Sequence, residues 1–218
     1  QAEDGIRDVE RSRGLGDVYK RQELCSRSEM LARDARCPLR RAIRTCIMEW
    51  QAERNKRRIV WYFPERNPER SIKRGVRYAL SVIDFCNRWI PHIESLANVT
   101  SPASPRRWEA NRQLLLAQLY KRRFMTQEYL RALRDLERRR NIPPPGDLGW
   151  QIDSYHFPIG NDPELQTRAQ EVRDKFQAII DKHDGTPWAT LARYHLRYLR
   201  AVRIAPWSRS HGGRTIRG

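Results

Sequence analysis

The tetrapeptide Asp184-Gly185-Thr186-Pro187 separates two apolar periodicities and constrains everything around it. Before it, Leu165, Ala169, Val172, Phe176, Ile179 and Ile180 recur at three- or four-residue spacing. After it, Trp188, Leu191, Ala192, His195, Leu196 and Leu199 do the same. That spacing places apolar groups on one face of an α-helix. Gly185 can take the left-handed conformation that closes the first helix. Thr186 can cap the second, and Pro187 suits a first turn, where a missing N–H costs nothing. The segment Pro163 to Arg203 therefore predicts a helix hairpin, with Gly185, Thr186, Pro187 and Trp188 as its structural turn. A single hairpin cannot bury its own apolar face, so this one packs on preceding helices or on a partner.

The rest of the chain also reads as helix. Leu24, Met30, Leu31, Leu39, Ile43, Ile47 and Trp50 recur loosely over residues 23–58, with Pro38 as a break or restart. Ile59 to Phe63 reads as a buried strand or extended packing segment. A helix follows from Asn67-Pro68 through Val76, Ala79, Leu80, Ile83, Cys86, Ile90, Ile93 and Leu96. Gly75 weakens it by about 1 kcal/mol relative to alanine, and Pro91 is expected to bend or break it. Residues 98–105 form a connector with an Asn98-Val99-Thr100 acceptor pattern. A long helix then spans about Arg106 to Arg139, interrupted by Lys121, Arg122 and Arg123. Asn141 to Asp162 carries Pro143, Pro144, Pro145, Gly146 and Gly149, so it reads as an irregular stretch laid across the helices, with room for a short extended segment. The fold class is all-α.

No run approaches the ~20 apolar residues of a membrane span. The formal charge is +17, and 37 of the 43 basic residues are arginine. Such an excess suits phosphate binding. It is spread along the chain, which favours ordinary solvated helix faces instead. Arg54, Lys56, Arg57 and Arg58, followed by Trp61, Tyr62 and Phe63, are the densest basic cluster in their region. With Trp61 as a stacking platform they form the candidate nucleic-acid contact. Burial of the aromatic run is the favoured alternative.

Catalytic patterns are missing from the sequence. Cys25, Cys37, Cys46 and Cys86 include no C-x-x-C, which argues against a zinc site or redox pair and leaves a disulfide or free thiols open. His92, His156, His183, His195 and His211 include no H-x-x-x-H pair. His183 reads as a favourable cation at a helix C-terminus, and His195 as a packed core histidine. No G-x-S-x-G, P-loop or H-E-x-x-H occurs. No cofactor or metal site is expected.

Residues 4–22, DGIRDVERSRGLGDVYKRQ, resemble a translated sequencing adapter, a recurrent contaminant of assembled environmental reads. Residues 1–22 are set aside on that ground. The expectation is a partial N-terminal helical segment over 23–66, a helical domain over 67–205, and a disordered basic tail over 206–218.

The order PRRWEANRQLLLAQL, YLRAL, PPPGDLGW and FQAIIDKHDGTPWATLARYHL resembles a helical C-terminal region of bacterial proteins that carry a von Willebrand factor type A domain. The likeness covers roughly residues 68–195 and is most specific at Gly185 to Ala189. Asp184 stands where that region has proline, and Arg112-Gln113 replace its Tyr-Asp type pair. The type A domain itself and its Asp-x-Ser-x-Ser metal run are absent, so no metal residue carries over. The last hairpin is also similar to a tetratricopeptide-type unit. These resemblances imply a non-enzymatic helical scaffold or protein-interaction module. Its partner would be a protein or a missing upstream domain. A basic nucleic-acid-binding module is the alternative.

Overall fold

The computed structural model describes residues 36–56, 59–64, 66, 68–97, 106–138, 147–156 and 163–207, and positions 26, 28–29 and 31–32 before them. The expectations for residues 1–22, Cys25, Arg57, Arg58, Asn67, the 98–105 connector and the tail from 208 lie outside these residues. The chain divides into two compact units, Gln1–Pro38 and Leu39–Gly218. In the first, Glu29 N–H donates to Ser26 Oγ (3.2 Å) and Ser26 N–H donates to Glu29 Oε2 (2.6 Å). This reciprocal capping box starts a helical turn.

The second unit is mostly helical, in keeping with the all-α expectation, and adds a small sheet. From the unit boundary onward the elements run α1 (Pro38–Lys56), β1 (Tyr62–Pro64), α2 (Pro68–Ser95), α3 (Arg106–Arg138), β2 (Gly149–His156), α4 (Pro163–Lys182), α5 (Pro187–Arg197) and β3 (Arg200–Trp207). None of the helices among the described residues is long and apolar enough to cross a membrane.

Helix α3 is the spine. Leu114, Ala117 and Phe124 pack against Leu165, Ala169, Val172 and Phe176 of α4 and Ala192 of α5. Leu119 packs with Ala42 and Cys46 of α1 and with Val82, Phe85 and Cys86 of α2. Tyr129, Leu133 and Leu136 pack against Phe63, Trp150, Ile152 and Val202 of the sheet. A helix enclosed on several sides needs apolar groups all round, which blurs the single stripe expected for a surface helix. Three cores therefore share one helix.

Helix α2 buries Ile72, Gly75, Ala79, Val82, Phe85, Cys86, Trp89, Ile90 and Ile93, a regular inner face. It continues through Pro91 to Ser95, against the expectation of a break. Pro91 and Asn87, whose carbonyl it leaves without a partner, both lie on the exposed face, where water can take the lost hydrogen bond.

The larger departure is the sheet. β2 pairs antiparallel with β1 (Phe63 opposite Trp150) and with β3 (Ile152 opposite Ile204). The stretch expected to be irregular thus supplies the central strand. The hairpin's second helix ends at Arg197 and not near Arg203, because Arg200–Trp207 is β3. Its last two residues, Pro206 and Trp207, reach past the point where the tail was expected to begin. Pro64 and Pro206 sit on the two edge strands, where proline leaves the ladder intact.

Candidate functional site

A cavity of about 680 Å³ opens among α1, α2, α3, α5 and the sheet. Its apolar wall includes Trp50 of α1, Tyr78 and Phe85 of α2, and Leu115 and Leu119 of α3. Val202 of β3 adds to it, and Ile59 and Trp61 form the rim. Trp50 leans on Phe85 with ring centroids 5.3 Å apart. Tyr129 holds the rim segment: its hydroxyl donates to Val60 O (2.8 Å) and accepts from Val60 N–H (3.2 Å).

The polar lining comes mainly from α3, through Gln118, Lys121, Arg122 and Thr126, with Gln51 of α1 and His195 of α5. Lys121 is only 8% exposed. Its ammonium donates to His195 O at 2.6 Å. That carbonyl lies in the last turn of α5, where helix carbonyls lack intrahelical partners, so Lys121 also caps the helix. Burial, and then the nearby Arg122 and Arg200, pull the Lys121 ammonium down to about 8. The Arg122 guanidinium lies 4.3 Å from the centre of the Trp50 ring, a cation–π contact at the cavity's edge.

His195 pairs its Nε2 with Gln118 Nε2 at 2.7 Å. An amide nitrogen is a donor, so the ring nitrogen accepts and the imidazole is neutral. Burial, with Lys121 and Arg122 close by, lowers this histidine to about 4. The ring stacks on Phe176 with centroids 5.6 Å apart. His195 is half-buried and lines the cavity, so it is not the packed core histidine that its place on the apolar face suggests.

Lys121 and Arg122 are therefore the positive groups of the wall. None of the described residues lining the cavity is a carboxylate.

Comparison with family models, curated proteins and solved structures finds no match.

The turn residues take the conformations their types suggest. Gly185 has φ +72°. Thr186 caps α5, accepting from Ala189 N–H at 3.4 Å, and Pro187 begins the helix. Trp188 is half-buried and donates Nε1–H to Asn111 Oδ1 of α3 at 2.7 Å. His183, expected as a helix-end cation, pairs its Nε2 with Gln113 Oε1 at 3.0 Å. Of the candidate nucleic-acid cluster, Arg54 and Lys56 lie in the last turn of α1, with side chains outside the described ones. Trp61 is 41% exposed and joins the cavity rim.

Cys46 and Cys86 are free and buried. Burial raises both thiols to about 12, and for Cys46 the neighbouring Cys86 adds to the effect. Cys37 is also free and buried.

In the sequence Lys121 and Arg122 read only as part of a basic interruption of a helix face, and Gln118 carries no signal of its own. The available signal was a lysine set between Leu119 and Phe124 in a helix apolar on several sides.

Proposed function

We propose that this chain is a non-enzymatic helical scaffold that recognises a protein segment through the outer face of its terminal hairpin. The observation that carries this reading is a stripe on α5. Leu191, Tyr194 and Tyr198 are 46%, 57% and 40% exposed, at i, i+3 and i+7. Ala189 and Ala192 occupy the opposite, buried face of the same helix. Helix α5 is thus apolar on two sides and has a core on one. In tetratricopeptide-type arrays a neighbouring unit covers such a face. Tyrosine carries much contact area at low entropy cost, which suits a binding surface. The Tyr194 and Tyr198 rings already lean together at 4.7 Å. The similarity to helical regions associated with von Willebrand factor type A domains supports the same role, as an appendage that docks to a protein.

The test is a displayed library of amphipathic helical peptides selected against the chain. Peptides are expected that bind the wild type, lose about tenfold or more affinity with Tyr194→Asp, and weaken little between low and high salt. Both stripe tyrosines are exposed, so the variant keeps its fold. Recovery of no peptide sensitive to Tyr194→Asp overturns the proposal. Duplex DNA bound instead, with affinity falling about a thousandfold or more over the same salt range, would put the nucleic-acid reading first.

A further inference from the structure

The cavity beneath α3 has features that a protein-docking role does not use. It is large enough for a small molecule, since ligand sites fall at roughly 300–1,000 Å³. Its walls are mainly aromatic and aliphatic. Its cationic wall is formed by consecutive residues of one helix, Lys121 and Arg122. Burying an ammonium is costly, and a buried cation is ordinarily paired with an acid. Among the described residues Lys121 has no salt-bridge partner, and its hydrogen bond goes to a backbone carbonyl. An ammonium has three N–H donors, so this bond leaves capacity for another acceptor. Gln118 holds His195 as an acceptor and keeps it neutral, so the histidine adds no charge of its own.

We infer that this cavity binds an apolar monocarboxylate, with its carboxylate on Lys121 and Arg122 and its hydrocarbon body between Trp50, Phe85 and Leu119. A carboxylate supplies the acidic partner that Lys121 lacks among the described residues, and one negative charge offsets the excess of positive charge on that wall. An uncharged ligand would leave that excess in place. A polyanion would bring more charge than an aromatic-walled cavity can solvate. Lys121 keeps its capping bond to His195 O while it takes the ligand, so binding adds to the α3–α5 contact and does not compete with it.

The test uses the full chain with 4-phenylbutyrate and its uncharged counterpart 4-phenylbutan-1-ol, by isothermal titration at pH 7. The acid is expected to bind at one site, about tenfold or more tighter than the alcohol, as a charge-assisted hydrogen bond requires. Lys121→Met retains alcohol binding and brings that ratio below about threefold. Arg122→Gln, at an exposed position tolerant of substitution, lowers the ratio at least threefold by itself and decides the matter if Lys121→Met does not fold. Equal binding of acid and alcohol by the wild type, no binding of either, or a ratio unchanged by Arg122→Gln overturns the inference. Neither ligand depends on the α5 stripe, so this outcome is separate from that of the peptide selection.

Discussion

Trp188 at the start of α5 donates its indole N–H to Asn111 of α3, 77 residues earlier, at 2.7 Å. The bond joins the most distinctive turn in the chain to its central helix. Trp188 also packs against the core formed by α3, α4 and α5. Asn111→Ala should cost about 1–2 kcal/mol, because the indole donor is left half-buried without its acceptor. Trp188→Ala should cost about 2–4 kcal/mol, less than a fully buried tryptophan because part of the ring is open to water. Urea unfolding of both single variants and the double variant checks this. A double-variant cost equal to the sum of the two would show that the bond contributes nothing.

Gly75 of α2 faces Tyr129 and Leu133 of α3 with no room for a side chain. A Cβ there would stand 2.7 Å from Tyr129 Oη and 2.9 Å from Leu133 Cδ1. Propensity alone predicts that Gly75→Ala stabilises the helix by about 1 kcal/mol. The packing predicts the reverse, a loss of about 1–3 kcal/mol, because Tyr129, held by two hydrogen bonds to Val60, and Leu133 must shift to make room. The sign of the change in denaturation midpoint decides between them.

Lys121 makes stability depend on pH in the alkaline range. The unfolded chain holds this proton up to about 10.5, whereas the folded chain releases it near 8. Between those values the unfolded state binds more protons, so the lysine's contribution to stability rises with pH. The groups facing it are Arg122 on the same helix, His195 of α5 and Arg200 of β3. Measured as wild type minus Lys121→Met, the gain from pH 7 to pH 11 should be about 3 kcal/mol. A flat difference would place the ammonium in contact with solvent.

Cys46 and Cys86 should resist alkylation in the folded chain. Each stays a thiol until about pH 12, and the thiolate is the reactive form. Peptide mapping after iodoacetamide treatment at pH 8 should find both unmodified, and both modified once urea is added. Fast labelling of either in the native state would contradict their burial.

The terminal hairpin was legible because its causes are local. A glycine at positive φ, a threonine cap and a proline at the first helical position each act within one turn, and the apolar spacing fixes which face turns inward. Helices α1 to α3 were legible for the same reason. Extended segments near β1 and β2 were legible too, but β3 and the pairing of the strands were not. β2 and β3 pair across the whole α4–α5 hairpin, with Gln151 opposite Ala205 and Ile152 opposite Ile204. Neither strand has a turn signal joining it to the other, and a glycine- and proline-bearing approach to β2 resembles a loop until its partner is known. The cavity was hidden too. Lys121-Arg122-Arg123 looks like one basic run, and only the packing of α5 on α3 buries the first of the three while leaving Arg122 exposed. Local chain chemistry determined where the helices lie and how the hairpin turns, but not that α2 runs through Pro91 or that α5 gives way to β3. Burial of charge and pairing of strands depend on residues far apart in sequence, and only the tertiary structure decided them.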